Sequence, residues 1–283
     1  MLTTRTKIAL ARLIQRPLML VRRLFGRGPQ TIVRRRGVRW RLDLREGIDL
    51  SIYLLRAFEP ATLKTFERLV KPGMTVLDIG ANIGAHTLHF ARLVGAHGHV
   101  HAFEPTDWAM AKLNANLDLN PDLAARVDAV QAFLVDAPDR AVQETVHASW
   151  PVDGAGVHAK LRARALSANG ARAVVLDEYL DEKKVGTVDL IKIDVDGYEC
   201  QVLSGARALL KKHAPPLVME LSPYILEERG ASIDQLLDIL SDAGYRLEHL
   251  DSGRPLPEDR AEIAGLYPDG AGGNVLARPR GVV

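Results

Sequence analysis

Asp78 and Glu104 end two apolar runs, and a loop with glycines four apart lies just after the first. Residues 76–84 read Val-Leu-Asp-Ile-Gly-Ala-Asn-Ile-Gly, and residues 100–105 read Val-His-Ala-Phe-Glu-Pro. Gly80 permits a tight turn, and Gly84 lets a following helix approach the strand. Backbone N–H groups of residues 81–84, those of Ala81 and Asn82 among them, are then expected to receive a carboxylate or phosphate at a helix start. A dinucleotide site wants Gly-x-Gly-x-x-Gly, whereas position 82 is asparagine and an acid stands two residues before the first glycine. An ionised Asp78 repels a pyrophosphate and suits the ammonium of an amino acid beside a sulfonium. Glu104 has the spacing to accept hydrogen bonds from two ribose hydroxyls. S-adenosylmethionine presents all of these groups, so Asp78, Gly80, Ala81, Asn82, Gly84 and Glu104 form the expected cofactor set. Asp136, at the end of a third apolar run, is read either as the acceptor for an adenine amino group or as a solvated loop acid or helix cap.

A second constellation is Lys192-Ile-Asp194-Val-Asp196-Gly-Tyr-Glu199. Alternation along a strand places Lys192, Asp194 and Asp196 on one side. A lysine between two acids can be a structural ion pair. It can equally bring a general base to an acceptor hydroxyl, with Asp194 or Asp196 taking the proton or orienting the oxygen. Glu199 would stand at the next helix start, where a carboxylate favours the helix dipole. Glu220 ends the run Met219-Glu220-Leu221-Ser222 and points at the same rim. Asp194, Asp196 and Glu220 offer oxygens to Mg²⁺, but a cluster at one helix start is not a ligand cage, and no metal is expected. His86 and His101 read as packing residues.

Strands and helices that alternate must carry these groups. Strands are expected at 76–79, 100–103, 127–135, 173–176, 188–195, 216–221, 245–250 and 274–277. Helices are expected at 60–70, 82–93, 108–119, 199–212 and 233–243. Apolar strands that alternate with helices make a mainly parallel sheet covered on both faces. The late strands without a clear helix between them suggest an antiparallel pair at one edge. Ligands of such a sheet bind beyond the carboxyl ends of its strands, where Asp78, Glu104 and Asp194 fall. Residues 137–172 show no clear pattern.

The net charge of +2 conceals an asymmetry. Residues 1–42 hold twelve basic residues and no acidic one, which leaves 25 basic against 35 acidic in the remainder. Ile8, Leu13, Leu20 and Leu24 fall near helical spacing among the arginines. This predicts an amphipathic helix over 5–25 with a kink or break at Pro17. Three roles compete for it: contact with an anionic membrane surface, packing on the body, or a basic tail. Little aromatic material accompanies the arginines, and the body is acidic, so no nucleic-acid partner is expected. No apolar run reaches the roughly 18–20 residues that span a bilayer, and arginines interrupt any signal-peptide core. The single cysteine, Cys200, fits a reducing compartment. The expected location is cytoplasmic, with peripheral contact at the inner face of the membrane as an option.

The chain resembles the FkbM family of S-adenosylmethionine-dependent methyltransferases from about residue 46 onward. The resemblance rests on Phe58-Glu59-Pro60, on 78–84 with His86-Thr87-Leu88, on Ala102-Phe103-Glu104-Pro105 and on Asn114 and Asn116. It continues through Leu176-Asp177-Glu178-Tyr179, residues 191–199, Val202-Leu203-Ser204-Gly205-Ala206 and Asn274-Val275-Leu276-Ala277. It implies a Rossmann-like class I methyltransferase fold, with a mostly parallel seven-stranded sheet, an antiparallel edge strand and helices on both faces. It implies S-adenosylmethionine as methyl donor and a hydroxyl acceptor on a sugar, glycolipid or polyketide-type natural product. The family often has Glu at position 196 and Gly-Asp where this chain has Val135-Asp136. A basic arm over 1–45 and a methyltransferase domain over 46–283 are the expected units. The competing functions are an N-methyltransferase on another acceptor and a catalytically silent membrane-associated adaptor. Acceptor specificity is expected in 137–172, 222–232 and the N-terminal segment, because loops over strand ends build substrate pockets.

Overall fold

The computed structural model describes residues 4–148, 151–152, 163–267 and 271–281. Seven strands form the main sheet, in the order Tyr245–His249, Gly273–Pro279, Leu217–Leu221, Leu190–Ile193, Thr75–Ile79, His99–Phe103 and Val127–Val130. Pairing is parallel from Leu217–Leu221 through to Val127–Val130. Gly273–Pro279 runs antiparallel to both of its neighbours, so the reversed strand lies second from the edge. Leu190–Ile193 and Thr75–Ile79 are adjacent, with Lys192 opposite Asp78 in the register. Both strands are fully or almost fully buried apart from Thr75, as expected for parallel strands covered on two faces.

One face packs Leu77, Ile79, Ile191 and Ile193 against the helices 176–182, 199–204, 207–212 and 233–242. The other packs Val76, Val100 and Leu190 against Phe66 and Phe90. The residues expected as one helix over 199–212 form two, Glu199–Ser204 and Arg207–Lys212. The 127–135 run is broken at Gln131. Its second half, Ala132–Val135, leaves the main sheet and pairs in parallel with Arg172–Val175. A further antiparallel pair, Thr145–Ala148 with Arg164–Ser167, lies within the unpatterned 137–172 region, of which 149–150 and 153–162 are outside the described residues.

The helix Thr4–Leu24 runs through Pro17 without a break in its assignment. A proline removes one hydrogen-bond donor and crowds the preceding turn. Here that cost is borne on the exposed side, since Pro17 faces solvent. The side chain of Ile8 is outside the described residues. A hairpin follows, Gln30–Arg35 with Val38–Asp43. Val38, Trp40 and Leu42 alternate inward and are buried among Ile48, Ile83, Leu88 and Leu113. The amide N–H of Arg41 donates to Asn116 Oδ1 at 2.8 Å and that of Arg39 to Asn120 Oδ1 at 2.9 Å. The second strand, Val38–Asp43, therefore packs as part of the body's core.

Candidate active site

The glycine loop turns back on itself before any helix begins. Asn82 and Gly84 have φ of +49° and +86°, which interrupt helical geometry, and the helix starts only at Thr87. The N–H groups of Gly80 and Ala81 both donate to Phe103 O, and that of Gly84 to Ala81 O. The N–H of Asn82 donates to Glu104 Oε2 at 3.0 Å, and that of Ile83 to Asn82 Oδ1 at 2.9 Å. The donors expected to receive an anion are thus consumed inside the loop. Gly80 is required at its position: a Cβ there would lie 1.8 Å from the carbonyl oxygen of Asp194. Gly84 serves packing, since its Cβ would meet Leu113 Cδ1 at 2.6 Å.

Asp78 also departs from expectation. It is fully buried beneath the loop, where Oδ2 accepts from the Thr87 hydroxyl at 2.6 Å. Oδ1 lies 3.4 Å from Lys192 Nζ. The ammonium that meets Asp78 in this structure is the chain's own, and Asp78 does not reach the cavity wall. Lys192 Nζ also donates to Gly80 O at 2.7 Å and to Ile79 O at 3.2 Å, and stands 3.8 Å from Asp194 Oδ2. Burial disfavours its charge, but Asp78 and Asp194 outweigh that and hold the ammonium above the ordinary lysine value. The ion-pair reading of Lys192 is therefore the one seen.

A cavity of about 570 Å³ opens over the strand ends. Gly80, Ala81, Asn82 and Glu104 line one part of it, with Phe103, Phe133 and Leu134 as an apolar wall beside them. Glu104 is buried; its Oε1 accepts from the N–H and hydroxyl of Thr106 at 2.9 and 2.5 Å. Burial raises its pKa, against the pull of the Thr106 and Asn82 hydrogen bonds. A carboxylate has about four acceptor sites, so Oε2 retains capacity for a hydroxyl.

Asp194, Asp196 and Glu220 line another part, joined by Glu59. Burial first, then the Asp194 and Glu199 carboxylates, push Asp196 up to about 8. Burial, with Asp194 and Asp196 next, raises Glu220 well above the usual carboxylate range. Among the described residues, these acids do not converge as a metal set. The trio that does is His99, His101 and Asp128, which starts at the opposite end of the His99–Phe103 strand.

Besides Asp78 and Gly84, Asp136 and Glu199 also lie outside the cavity lining. Asp136 pairs with the Arg140 guanidinium, Oδ2 at 2.7 Å from one of its nitrogens, outside the cavity. Glu199 is buried behind the acids and accepts long contacts of 3.4 Å from the Val195 and Gly197 amides. Burial pushes it up to about 7.

Glu59 and His86 also line the cavity, although neither belonged to the expected site. Glu59 sits at the N-cap of Pro60–Leu69 with φ of +44° and accepts from Asn274 Nδ2 at 2.7 Å. Its signal was present in Phe58-Glu59-Pro60. His86, read as packing, does pack against Phe58 and Phe66, but it also lines the cavity. Burial, then Lys192, lowers it to about 3, so it is neutral at ordinary pH.

The groups facing the cavity suit the ribose and the two cations of S-adenosylmethionine better than a pyrophosphate. Glu59, Glu104, Asp194, Asp196 and Glu220 face the cavity, while the amide donors that a phosphate needs are spent. An acid-lined space attracts an ammonium and a sulfonium.

The family profile described as "Methyltransferase FkbM domain" matches residues 78–247. The 31-O-demethyl-FK506 methyltransferase FkbM of Streptomyces tacrolimicus is 31% identical over 48% of this chain, which spans 60% of that relative's length. The 2-O-methyltransferase NoeI of Sinorhizobium fredii is 25% identical over 83% of this chain and 96% of its own. A crystal structure of a methyltransferase FkbM from Methylobacillus flagellatus aligns with a TM-score of 0.43 at 19% identity, covering 76% of this chain and 50% of that one. This chain belongs to the FkbM family of S-adenosylmethionine-dependent methyltransferases.

Proposed function

We propose that the chain methylates a hydroxyl oxygen of a small-molecule or glycan acceptor, on a sugar, glycolipid or polyketide-type product. The observation that carries this is the placement of Asp194, Asp196 and Glu220 on the rim of the same cavity as Glu104 and the glycine loop. The names of the two relatives, both O-methyltransferases, support the choice of oxygen.

Bound S-adenosylmethionine supplies a methyl group on a cationic sulfur, open to displacement by an oxygen nucleophile. Glu104 Oε2 would hold its ribose, Phe103, Phe133 and Leu134 would cover its base, and the acids Glu59 and Asp194 would face its ammonium. Lys192 holds Asp194 and the Gly80 turn in fixed relation, so acceptor and donor sides are set by one cation. Alignment of this kind supplies most of the rate in a displacement reaction. Asp196 is the group that takes the acceptor's hydroxyl proton. A carboxylate tuned to about 8 is a stronger base than an ordinary one and is still deprotonated in part near neutrality. Glu220, whose proton is favoured first by burial and then by Asp194 and Asp196, is placed to share a hydrogen bond with the acceptor.

Isothermal calorimetry with S-adenosylmethionine, followed by transfer of a labelled methyl to a panel of hydroxylated and amine acceptors, tests this reading. Binding that Glu104→Ala weakens at least about tenfold is expected, since a charged hydrogen bond contributes roughly 1.5–3 kcal/mol. No binding by the intact chain, or label appearing only on amines, refutes it.

A further inference from the structure

The two faces of the helix Thr4–Leu24 have different surroundings. Ala11, Gln15, Leu18, Met19 and Arg22 are turned to the body. Gln15 Nε2 donates to Leu44 O at 3.0 Å, and the Arg12 guanidinium donates to Val152 O. Arg22 donates to Gly28 O at 2.9 Å and lies over the Tyr53 ring. Leu10, Leu13, Ile14, Leu20, Val21 and Leu24 recur at helical spacing on the opposite side, and every one is exposed, Leu13 at 72% and Leu24 at 76%. Phe25, also 76% exposed, continues the line. Exposed Arg16 and Arg23 run along its margin.

Water is a poor neighbour for so long an apolar stripe, and stripes of this kind mark interaction surfaces. A second observation lies beside it. Leu54 and Leu55, at the end of Gly47–Leu55, are exposed, and together with Leu10 and Ile14 they line the cavity that holds Asp194 and Asp196. The apolar face of the helix is continuous with the cavity mouth.

We propose that this face docks on an anionic lipid bilayer, and that the acceptor is the hydroxylated head of an amphiphile that enters past Leu10, Ile14, Leu54 and Leu55 while its tail stays in the membrane. The acceptor half rests on the methyl-transfer reading above; the docking half does not. Charge chooses the occupant. Residues 1–42 hold twelve basic residues and no acid, while the rest of the chain has 35 acidic against 25 basic residues. An anionic surface attracts the first and repels the second, so the molecule lies with its helix down. A second copy is a worse partner, because stripe on stripe would bring arginine margins together. A free aqueous sugar would need no apolar mouth.

Co-sedimentation of the full chain with phosphatidylcholine vesicles, with and without phosphatidylglycerol, tests the docking. Binding at least about tenfold stronger to the anionic vesicles is expected, weakening as salt rises. Leu13→Glu with Leu24→Glu should lose that binding about tenfold or more, with unchanged far-UV circular dichroism and unchanged S-adenosylmethionine affinity. Arg16→Ala with Arg23→Ala should weaken binding and flatten its salt dependence. Binding indifferent to phosphatidylglycerol, parental binding by the double glutamate variant, or a dimer in sedimentation velocity that the same variant dissolves would each overturn the proposal. Vesicle binding without any S-adenosylmethionine affinity would refute the methyl-transfer reading and leave docking standing. Methylation of soluble acceptors by a chain that ignores vesicles would do the reverse.

Discussion

Lys192 Nζ lies 3.4 Å from Asp78 Oδ1, and both side chains are almost wholly buried. The pair crosses from one central strand to its parallel neighbour, directly under the glycine loop. The same ammonium reaches Asp194 Oδ2 at 3.8 Å. A single cation thus joins the loop, the strand end and the acid cluster, and its loss should be felt at all three.

Lys192→Met leaves Asp78 as a buried charge with only the Thr87 hydroxyl as partner. Removal of one member of a buried pair costs about 3–5 kcal/mol. Asp78→Asn alone should cost less, because Lys192 keeps the Ile79 and Gly80 carbonyls and the Asp194 carboxylate as partners. The double variant should cost clearly less than the sum, since it removes both charges. Urea denaturation of the four proteins measures the coupling; additive losses would mean that the two groups do not interact.

The pH dependence separates acids from histidines. Asp196, at about 8, and Glu199, at about 7, keep protons in the fold that ordinary carboxylates near 3.8 and 4.5 have released in the unfolded chain. Their contribution is full at low pH and is lost as pH rises through 7 to 8. His86 and His89, lowered to about 3 from 6.5, act the other way and remove stability only as pH falls below 6.5. Between 6.5 and about 8 the acids alone set the slope. Stability should therefore fall with rising pH there, by at most about 1.4 kcal/mol per pH unit for each proton. Over the same range kcat/KM should rise with an apparent pKa near 8, as Asp196 becomes able to take a proton. Asp196→Asn should flatten the kcat/KM profile and reduce the stability slope, leaving the part due to Glu199. A flat kcat/KM in the parent would assign the base elsewhere.

Gly80→Ala should abolish or severely impair folding, and S-adenosylmethionine binding with it. The added Cβ meets backbone, Asp194 O at 1.8 Å, and the φ of +78° is itself unfavourable to alanine. Gly186→Ala is the control. Nothing lies within 4 Å of its Cβ, so its melting temperature should stay close to that of the parent, within roughly ±0.5 kcal/mol of stability. A stable Gly80→Ala protein that binds the cofactor normally would show that the loop can move away from the Leu190–Ile193 strand end.

The strand ends were legible because the side-chain period of two and the apolar runs specify both the sheet and its carboxyl edge. Asp194, Asp196, Glu220 and Glu104 all line the cavity, but the Leu190–Ile193 strand stops before Asp194, and Asp196 has φ of +50°, so strand alternation does not place those two. Asp78 was misplaced because its partner comes from a strand distant in sequence, and Lys192 was read with its near neighbours. The loop amides were misread for a different reason. Glycine spacing suggests a turn, but it does not show that Asn82 would also adopt positive φ and spend its N–H on Glu104. Glu59 was visible as part of a tripeptide and not as a cavity residue, since only the tertiary packing of Asn274 against it brings it to the rim. The 127–135 run looked continuous because Gln131, where the chain changes sheets, is neither glycine nor proline.

Asn116 joins two parts of the chain that are distant in sequence. It is fully buried, and its Oδ1 accepts from the Arg41 amide at 2.8 Å while its Nδ2 donates to Ile83 O at 3.0 Å. One side chain thus ties the Val38–Asp43 strand to the back of the glycine loop. Asn116→Ala would leave one buried donor and one buried acceptor without partners, each costing about 1–3 kcal/mol. Asn116→Asp would keep the acceptor but lose the donor to Ile83 O and bury a charge. Both should lower the urea midpoint, and aspartate should be the worse at neutral pH. Because Ile83 follows Asn82, whose amide holds Glu104, cofactor affinity should fall with stability. Asn120→Ala removes a comparable tie at Arg39, together with a hydrogen bond to the Asn116 carbonyl, but no contact with the loop itself. It should therefore destabilise the fold and leave cofactor affinity near the parent value. Equal loss of affinity in both variants would mean that the hairpin as a whole, and not the Asn116 bridge, holds the loop in place.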